Sequence, residues 1–302
     1  MSTLFIDAKR STQKAARKKQ HTKRSTQWPL PLSDADYIYS CAADRHSLTR
    51  IRMQGGEMAG PAKTSLSEWQ DGLARAVGDA KWHAWDCEIQ AAVNEYNRHL
   101  AGTAGYLSLD WRTIKAITWI ETGANHPQWH IKPTQIGVPG DPGLRSLLSG
   151  NEGGDLIIPP AWKGRLTISS ATTMPTHNIR AGIGYLLMRM ANYEYRSVID
   201  RDAKVYEVKV APGDTMDKIA RRNGSTTAVL KTLNPAAEIL RPGQILKYQK
   251  ASVRRIITGW RPLSAMSVAV RYNSMRSDVN YAKKLEHAIG LVDAAKGATC
   301  AP

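Results

Sequence analysis

The chain has little phenylalanine and little cysteine, and it lacks any long apolar run. One Phe stands against nine Trp and eleven Tyr in 302 residues. The aromatic content is therefore carried by rings with polar handles and flat faces, which suit stacking on sugars or bases as well as packing in a core. The three cysteines, Cys41, Cys87 and Cys300, have the spacing of neither a zinc site nor a dense disulfide framework. They allow at most one bridge with one thiol left over, and a buried or idle cysteine is the default expectation for each. No metal and no cofactor is expected. No stretch approaches the ~18 apolar residues that a membrane span needs. Glycine and proline show no period, which excludes a collagen-like rod. What is present is an ordinary hydrophobic fraction of 42%, which excludes disorder along the full length. The length allows about two domains.

Acidic residues are also scarce beside basic ones, 26 against 42, for a net charge of +16. Residues 1–27 hold Lys9, Arg10, Lys14, Arg17, Lys18, Lys19, Lys23 and Arg24 against Asp7 alone, a local charge of +7 that leaves +9 for the rest. Such a chain attracts polyanions: nucleic acid, acidic lipid or an anionic bacterial wall. Nothing like a helix-turn-helix, RRM or zinc finger is visible, so no specific nucleic-acid partner is expected. Residues 1–33 read as a solvated basic arm ending at Trp28-Pro29-Leu30-Pro31. The one N-terminal apolar cluster, Leu4-Phe5-Ile6, is too short for the h-region of a secretory signal.

Residues 34–78 form a segment of uncertain fold, with short strands expected around Tyr37-Ile38-Tyr39 and Leu48-Thr49-Arg50-Ile51. From about Leu66 the pattern turns helical, and Trp82, Trp85, Ile89, Ala92, Val93 and Tyr96 recur at three and four residues. Asp110 is placed to cap a helix that runs to Glu121 and stops at Gly123. Residues 124–176 are rich in Gly and Pro and read as a long irregular segment. Residues 177–195 are helical again, with Ile179, Ile183, Leu186, Leu187 and Met190 on one face, and 264–295 give one or two more helices broken near Asn273–Ser277.

Residues 205–250 differ in kind. A β-rich start, Val205 to Val210, leads into Pro212-Gly213-Asp214-Thr215, two short amphipathic helices and Pro242-Gly243-Gln244-Ile245-Leu246, a βααβ plan. Gly213 allows a tight turn, Asp214 or Thr215 caps the first helix, and Ile219 and Ala220 bury on it. The string from Tyr206 through Asn234-Pro235 to Leu246 closely resembles a LysM domain. The resemblance implies binding of N-acetylglucosamine chains in peptidoglycan or chitin. It points to Gly213, Asp214, Thr215, Met216, Asn234, Pro235, Ile239 and Leu240 as sugar-binding positions. Turn or core roles compete at each of them.

A second constellation lies in Trp111 to Gly123. Ile114, Ile117 and Glu121 stand at i, i+3 and i+7, so Glu121 continues an apolar stripe. A carboxyl there loses hydration and its pKa rises, as a general acid for glycosidic cleavage requires. The stretch resembles the lysozyme-like superfamily, specifically lytic transglycosylases and goose-type lysozymes, through Glu121-Thr122-Gly123. Three further pieces follow in order: Thr134-Gln135-Ile136-Gly137, the helix Asn178 to Leu186, and Ala269-Val270-Arg271-Tyr272-Asn273. Lys132-Pro133-Thr134 departs from the family's usual Gly-Leu-Met. The resemblance implies Glu121 as the catalytic residue, with Thr122, Gln135, Tyr272, Asn273 and Asp141 binding substrate. In a lytic transglycosylase the acid protonates the bridging oxygen, then acts as base while the muramic C6 hydroxyl closes an anhydro ring. In an inverting lysozyme a second carboxylate activates water, and Asp141, Glu152 and Asp155 are the candidates; Asp141 in Gly-Asp-Pro-Gly also reads as a turn residue.

The expected architecture is a mainly α lysozyme-like catalytic domain (79–204 with 251–295) interrupted by a small α+β LysM module (205–250). The expected function is cleavage of the β-1,4 bond from N-acetylmuramic acid to N-acetylglucosamine, leaning to the lytic transglycosylase type. The alternative is a non-catalytic wall-binding or assembly protein. A cysteine peptidase built on Cys87 with His83 or His99 is set aside. An intracellular store of a wall-cutting enzyme without a signal peptide implies non-Sec delivery to the periplasm or wall. A type VI secretion machine or phage-assisted release would do this, with a secretion or immunity partner.

Overall fold

The computed structural model describes residues 64–273, 279–295 and 300. The basic arm, the strands expected before residue 60 and Cys41 lie outside the described residues. So does the N-terminal stretch on which the delivery expectation rests.

The described chain is mainly helical, with two small antiparallel sheets. Helix α1 (Ser65–Ala76) starts at Thr64, whose hydroxyl accepts from the Ser67 amide. It buries Leu73 and packs on the helix Val279–Ala294, so the helical body begins before residue 79. Helix α2 (Asp86–Leu100) buries Ile89, Ala92, Val93 and Tyr96 of the stripe read from the sequence, and Leu100 besides; Trp82 and Trp85 of that stripe precede the helix, Trp82 in a 3-10 turn at Ala80–His83. Helix α3 (Trp111–Glu121) is capped by Asp110, which accepts from the Arg112 amide.

The stripe on α3 turns out not to be a stripe. Ile114, Lys115, Ala116, Ile117, Thr118 and Trp119 are all buried, because α2 and α11 (Val279–Ala294) both pack against this helix. Lys115 is enclosed with them and is satisfied there: its Nζ lies 2.7 Å from Asp86 Oδ2 and 2.7 Å from His83 Nδ1. An ammonium so buried needs such partners.

The segment 124–176 is not irregular. It is a chain of short turns: a 3-10 turn at Pro127–His130, α4 (Gly143–Ser149), α5 (Gly154–Ile157), a 3-10 turn at Pro160–Trp162, and α6 (Ile168–Thr173). Gly and Pro cut it into pieces too short to show a period or to stand alone. Their buried side chains, among them Trp129, Leu144, Leu147 and Ile157, fasten them to the body.

Helix α7 (Pro175–Met190) runs through the core and ends at Met190, not at residue 195. The chain continues as β1 (Ala191–Ile199), which pairs antiparallel with β4 (Ala251–Trp260), Ala191 opposite Trp260 and Ile199 opposite Ala251. Between them lies a βααβ unit: β2 (Val205–Lys209), α8 (Met216–Arg222), α9 (Thr227–Leu233) and β3 (Ile245–Gln249). It has its own core of Val210, Ile219, Ala220, Leu230, Ala237 and Leu246. The β1–β4 ribbon holds the entry to this unit and the exit from it side by side, Ile199 opposite Ala251. Helix α10 (Ala265–Arg271) and α11 complete the body.

Cys87 is bonded to Cys300, their Cα atoms 5.3 Å apart, which removes Cys87 as a nucleophile. The bridge ties α2 to the end of the chain across 213 residues. Constraining so long a loop stabilises by about 2–4 kcal/mol. Cys87→Ser is expected to lower the urea midpoint accordingly, and the difference from wild type should vanish in reducing buffer.

Candidate active site

Four separate stretches of chain meet at one cavity of about 340 Å³. Glu121, Gln135, Asp141, Tyr272 and Asn273 all line it, with Thr134, Ile136 and Tyr185. Glu121 ends α3, and Gly123 two residues later has the left-handed φ of +67°, where an added Cβ would collide with the Trp82 ring at 2.9 Å. The helix must stop there, which leaves the carboxyl at its end facing the cavity rather than inside another turn.

Glu121 is partly exposed to the cavity and otherwise walled in by protein. Burial pushes its pKa up from the ordinary carboxylate value to about 7. The Tyr281 hydroxyl, which donates to Oε1 at 2.8 Å, pulls it down, and the negative charge of Asp141 pushes it further up. Tyr281, at the start of α11, was not singled out in the sequence, and nothing local to it marks it as a partner of Glu121. By holding one oxygen of the carboxyl, it leaves the other to carry the proton.

The floor of the cavity is the turn 133–137. The Thr122 hydroxyl donates to the Pro133 carbonyl at 2.7 Å, so Thr122 braces this turn from behind and does not line the cavity. Gln135 has φ +55°, a left-handed conformation uncommon for a residue with a side chain. It is held by its neighbours. Thr134 is buried and its amide and hydroxyl both donate to Asn178 Oδ1, at 2.9 and 2.8 Å. The Asn178 side-chain amide donates to the carbonyls of Ile136 and Ala171. Gly182 on α7 leaves room for this: a Cβ there would lie 2.6 Å from the Thr134 hydroxyl.

Tyr272 caps the arrangement. Its hydroxyl donates to the Thr134 carbonyl at 3.1 Å, and its ring lies 5.7 Å from that of Tyr185. Burial, followed by the Glu121 charge, pushes its pKa well above the usual tyrosine value, so it stays neutral. Asp141 lines the same cavity, yet both its oxygens are engaged by turn amides: Gly137 at 2.8 Å and Gly143 at 2.7 Å. Glu152 and Asp155 do not line it.

In the βααβ unit the named positions separate by role. Thr215 caps α8 by accepting from the Lys218 amide. Asp214 accepts from the Ala211 amide and pairs with Arg222, whose hydrogen bonds hold its carboxyl below the usual range. Asn234 brackets the main chain of Lys247 with bonds of 2.7 and 2.8 Å. Met216 and Leu240 pack on the small core. Gly213, at φ +77°, has open space around it. Pro235 and Ile239 line a shallow cavity with Ala236, Glu238, Arg241 and Gln244, and Ile239 is 79% exposed. Gly213 makes the turn, its carbonyl accepting from Lys218, so the geometry leaves Pro235 and Ile239 as the positions without a competing task.

This second site belongs to a small βααβ module with its own core. Residues 208–248 match the family model of the LysM domain, a peptidoglycan-binding module. No curated protein and no solved structure matches the chain.

Proposed function

We propose that the protein cleaves the glycan strands of peptidoglycan, with Glu121 as general acid and then general base, and that the LysM module holds it on its substrate. The observation that carries this reading is the placement of Glu121: a carboxyl whose pKa is raised to about 7, opening on a cavity shared with Gln135, Tyr272 and Asn273. About half of such groups are protonated at neutral pH, the condition for donating a proton to a glycosidic oxygen. The resemblance of these stretches to lytic transglycosylases and goose-type lysozymes supports the same assignment.

The engagement of Asp141 by two backbone amides, and the position of Glu152 and Asp155 outside the cavity, favour a single acid over a pair of carboxylates. In that mechanism Glu121 gives its proton to the bridging oxygen. It then takes the proton of the C6 hydroxyl as that oxygen attacks C1 and closes the anhydro ring. The neutral Tyr272 and the fixed Gln135 orient the sugar. The site of action is the periplasm or wall.

Mass analysis of fragments released from purified wall tests this. Anhydro-muramic ends are expected. Reducing ends would show that water replaces the internal hydroxyl. Release of no fragments at all, with the protein still bound to the wall, would leave only the wall-binding reading.

A further inference from the structure

A second cavity, of about 320 Å³, lies beside the first at the root of the β1–β4 ribbon, lined by Arg189, Arg255, Arg261 and Arg271 together with Glu152 and Tyr193. It adjoins the Glu121 cavity through two elements. Arg189 stands one helical turn beyond Tyr185 on α7, and Arg271 directly precedes Tyr272.

Four guanidinium groups and the Glu152 carboxylate line this cavity, with the Asp155 carboxylate also acting on Tyr193, and the arginines' hydrogen bonds within the protein leave donors unused. Arg255 donates to the Gly150 carbonyl and the Tyr195 hydroxyl, and Arg261 to the Ala191 carbonyl. Arg189 reaches Glu152 at 3.4 Å, while its Nε is buried without a hydrogen-bond partner. The Arg271 side chain makes no hydrogen bond or ion pair with a described residue. The cations crowd one another: burial, then the charges of Arg271 and Arg189, depress the Arg261 pKa. A guanidinium carries five donors in a planar fork that matches a carboxylate. Crowded, under-bonded arginines call for an anionic ligand. Glu152 narrows its class. A repeating phosphodiester would meet this carboxylate as a like charge, whereas a peptide bearing both carboxylates and an ammonium fits a pocket of mixed sign.

We propose that this arginine pocket binds the carboxylates of the peptide stem attached to the glycan strand, so that the enzyme selects peptide-bearing strands for cleavage. The inference rests on the glycan-cleaving reading for its purpose, but binding tests it separately.

Full-length protein carrying Glu121→Gln is titrated calorimetrically with three probes. These are glycan fragments bearing their peptides, the same fragments stripped of peptides, and a poly(glycerol phosphate). Peptide-bearing fragments are expected to bind roughly tenfold more tightly than stripped ones, a preference that shrinks with added salt. Adding Arg271→Gln should erase the preference and leave binding of stripped fragments unchanged, with the same melting temperature. Equal affinity of the parent for both fragments overturns the proposal, in a measurement that needs no second substitution. A preference that survives Arg271→Gln overturns it too. Tighter binding of the phosphate polymer than of the peptide-bearing fragments overturns the assignment to peptide carboxylates. If wild-type protein releases no fragments from wall while the preference and its loss are observed, the cleavage reading fails and the arginine pocket stands.

Discussion

Glu121→Gln is expected to reduce glycan cleavage by about three orders of magnitude, with wall binding retained. The substitution keeps the shape of the side chain and its ability to accept from Tyr281, but it removes the transferable proton. Wild-type cleavage should fall as pH rises through about 7, because the reactive form is the protonated acid. The same substitution has a predicted signature in stability. The folded pKa of Glu121 lies above its ordinary value of 4.5, so the folded state holds this proton more tightly than the unfolded state. Its contribution is therefore fully favourable below about pH 4.5 and is lost as pH rises through about 7. Above that, the buried charge costs at most about 3 kcal/mol, less whatever solvent in the cavity screens. Glu121→Gln should thus melt higher than wild type at pH 8 and equally at pH 4. Thermal melts at both pH values, beside a turnover assay on purified wall, check this. Unimpaired turnover would sink the catalytic assignment. A melting difference independent of pH would show that the carboxyl is not held neutral.

Asn178→Ala is expected to cost about 4 kcal/mol and to abolish cleavage as well. One buried side chain ties Thr134, Ile136 and Ala171 together, and its removal strands the Thr134 amide and the Ile136 and Ala171 carbonyls without partners. Each such buried group costs about 1–3 kcal/mol when left unmade. The turn that holds Gln135 at φ +55° loses its anchor at the same time. Urea denaturation gives the first quantity. At a temperature where the variant stays folded, the turnover assay gives the second. A variant with lowered stability but normal turnover would show that Gln135 keeps its place without Asn178.

The helices around the cavity were legible because each carries a local signal: the cap at Asp110, the stop at Gly123, the three-and-four spacing of α2. The long segment before α7 was not, because glycine and proline interrupt it faster than any period can repeat. The ribbon was missed for a related reason. Residues 191–195, Ala-Asn-Tyr-Glu-Tyr, alternate apolar and polar over too few positions to stand out from the helical pattern they follow, and their partner strand at 251–260 lies far along the chain. In the LysM module, the turn-and-cap pattern around Gly213 and Thr215 was readable. Which of its named residues are spare was not, since Asn234 and Asp214 are occupied by main chain and by Arg222.

By itself the amino-acid order determined the start and stop of α3, with Glu121 at its end, and the βααβ module. These depend on spacing and on caps that act within a few residues. Only the tertiary structure decided that Cys87 meets Cys300, that Lys115 goes inside beside Asp86, and that Tyr281 holds the Glu121 carboxyl. It also set four arginines, from α7, β4, the loop after β4 and α10, around one hollow. Each of these is a meeting of residues remote in the chain, and a pairing of that kind leaves no periodic trace in either partner's neighbourhood.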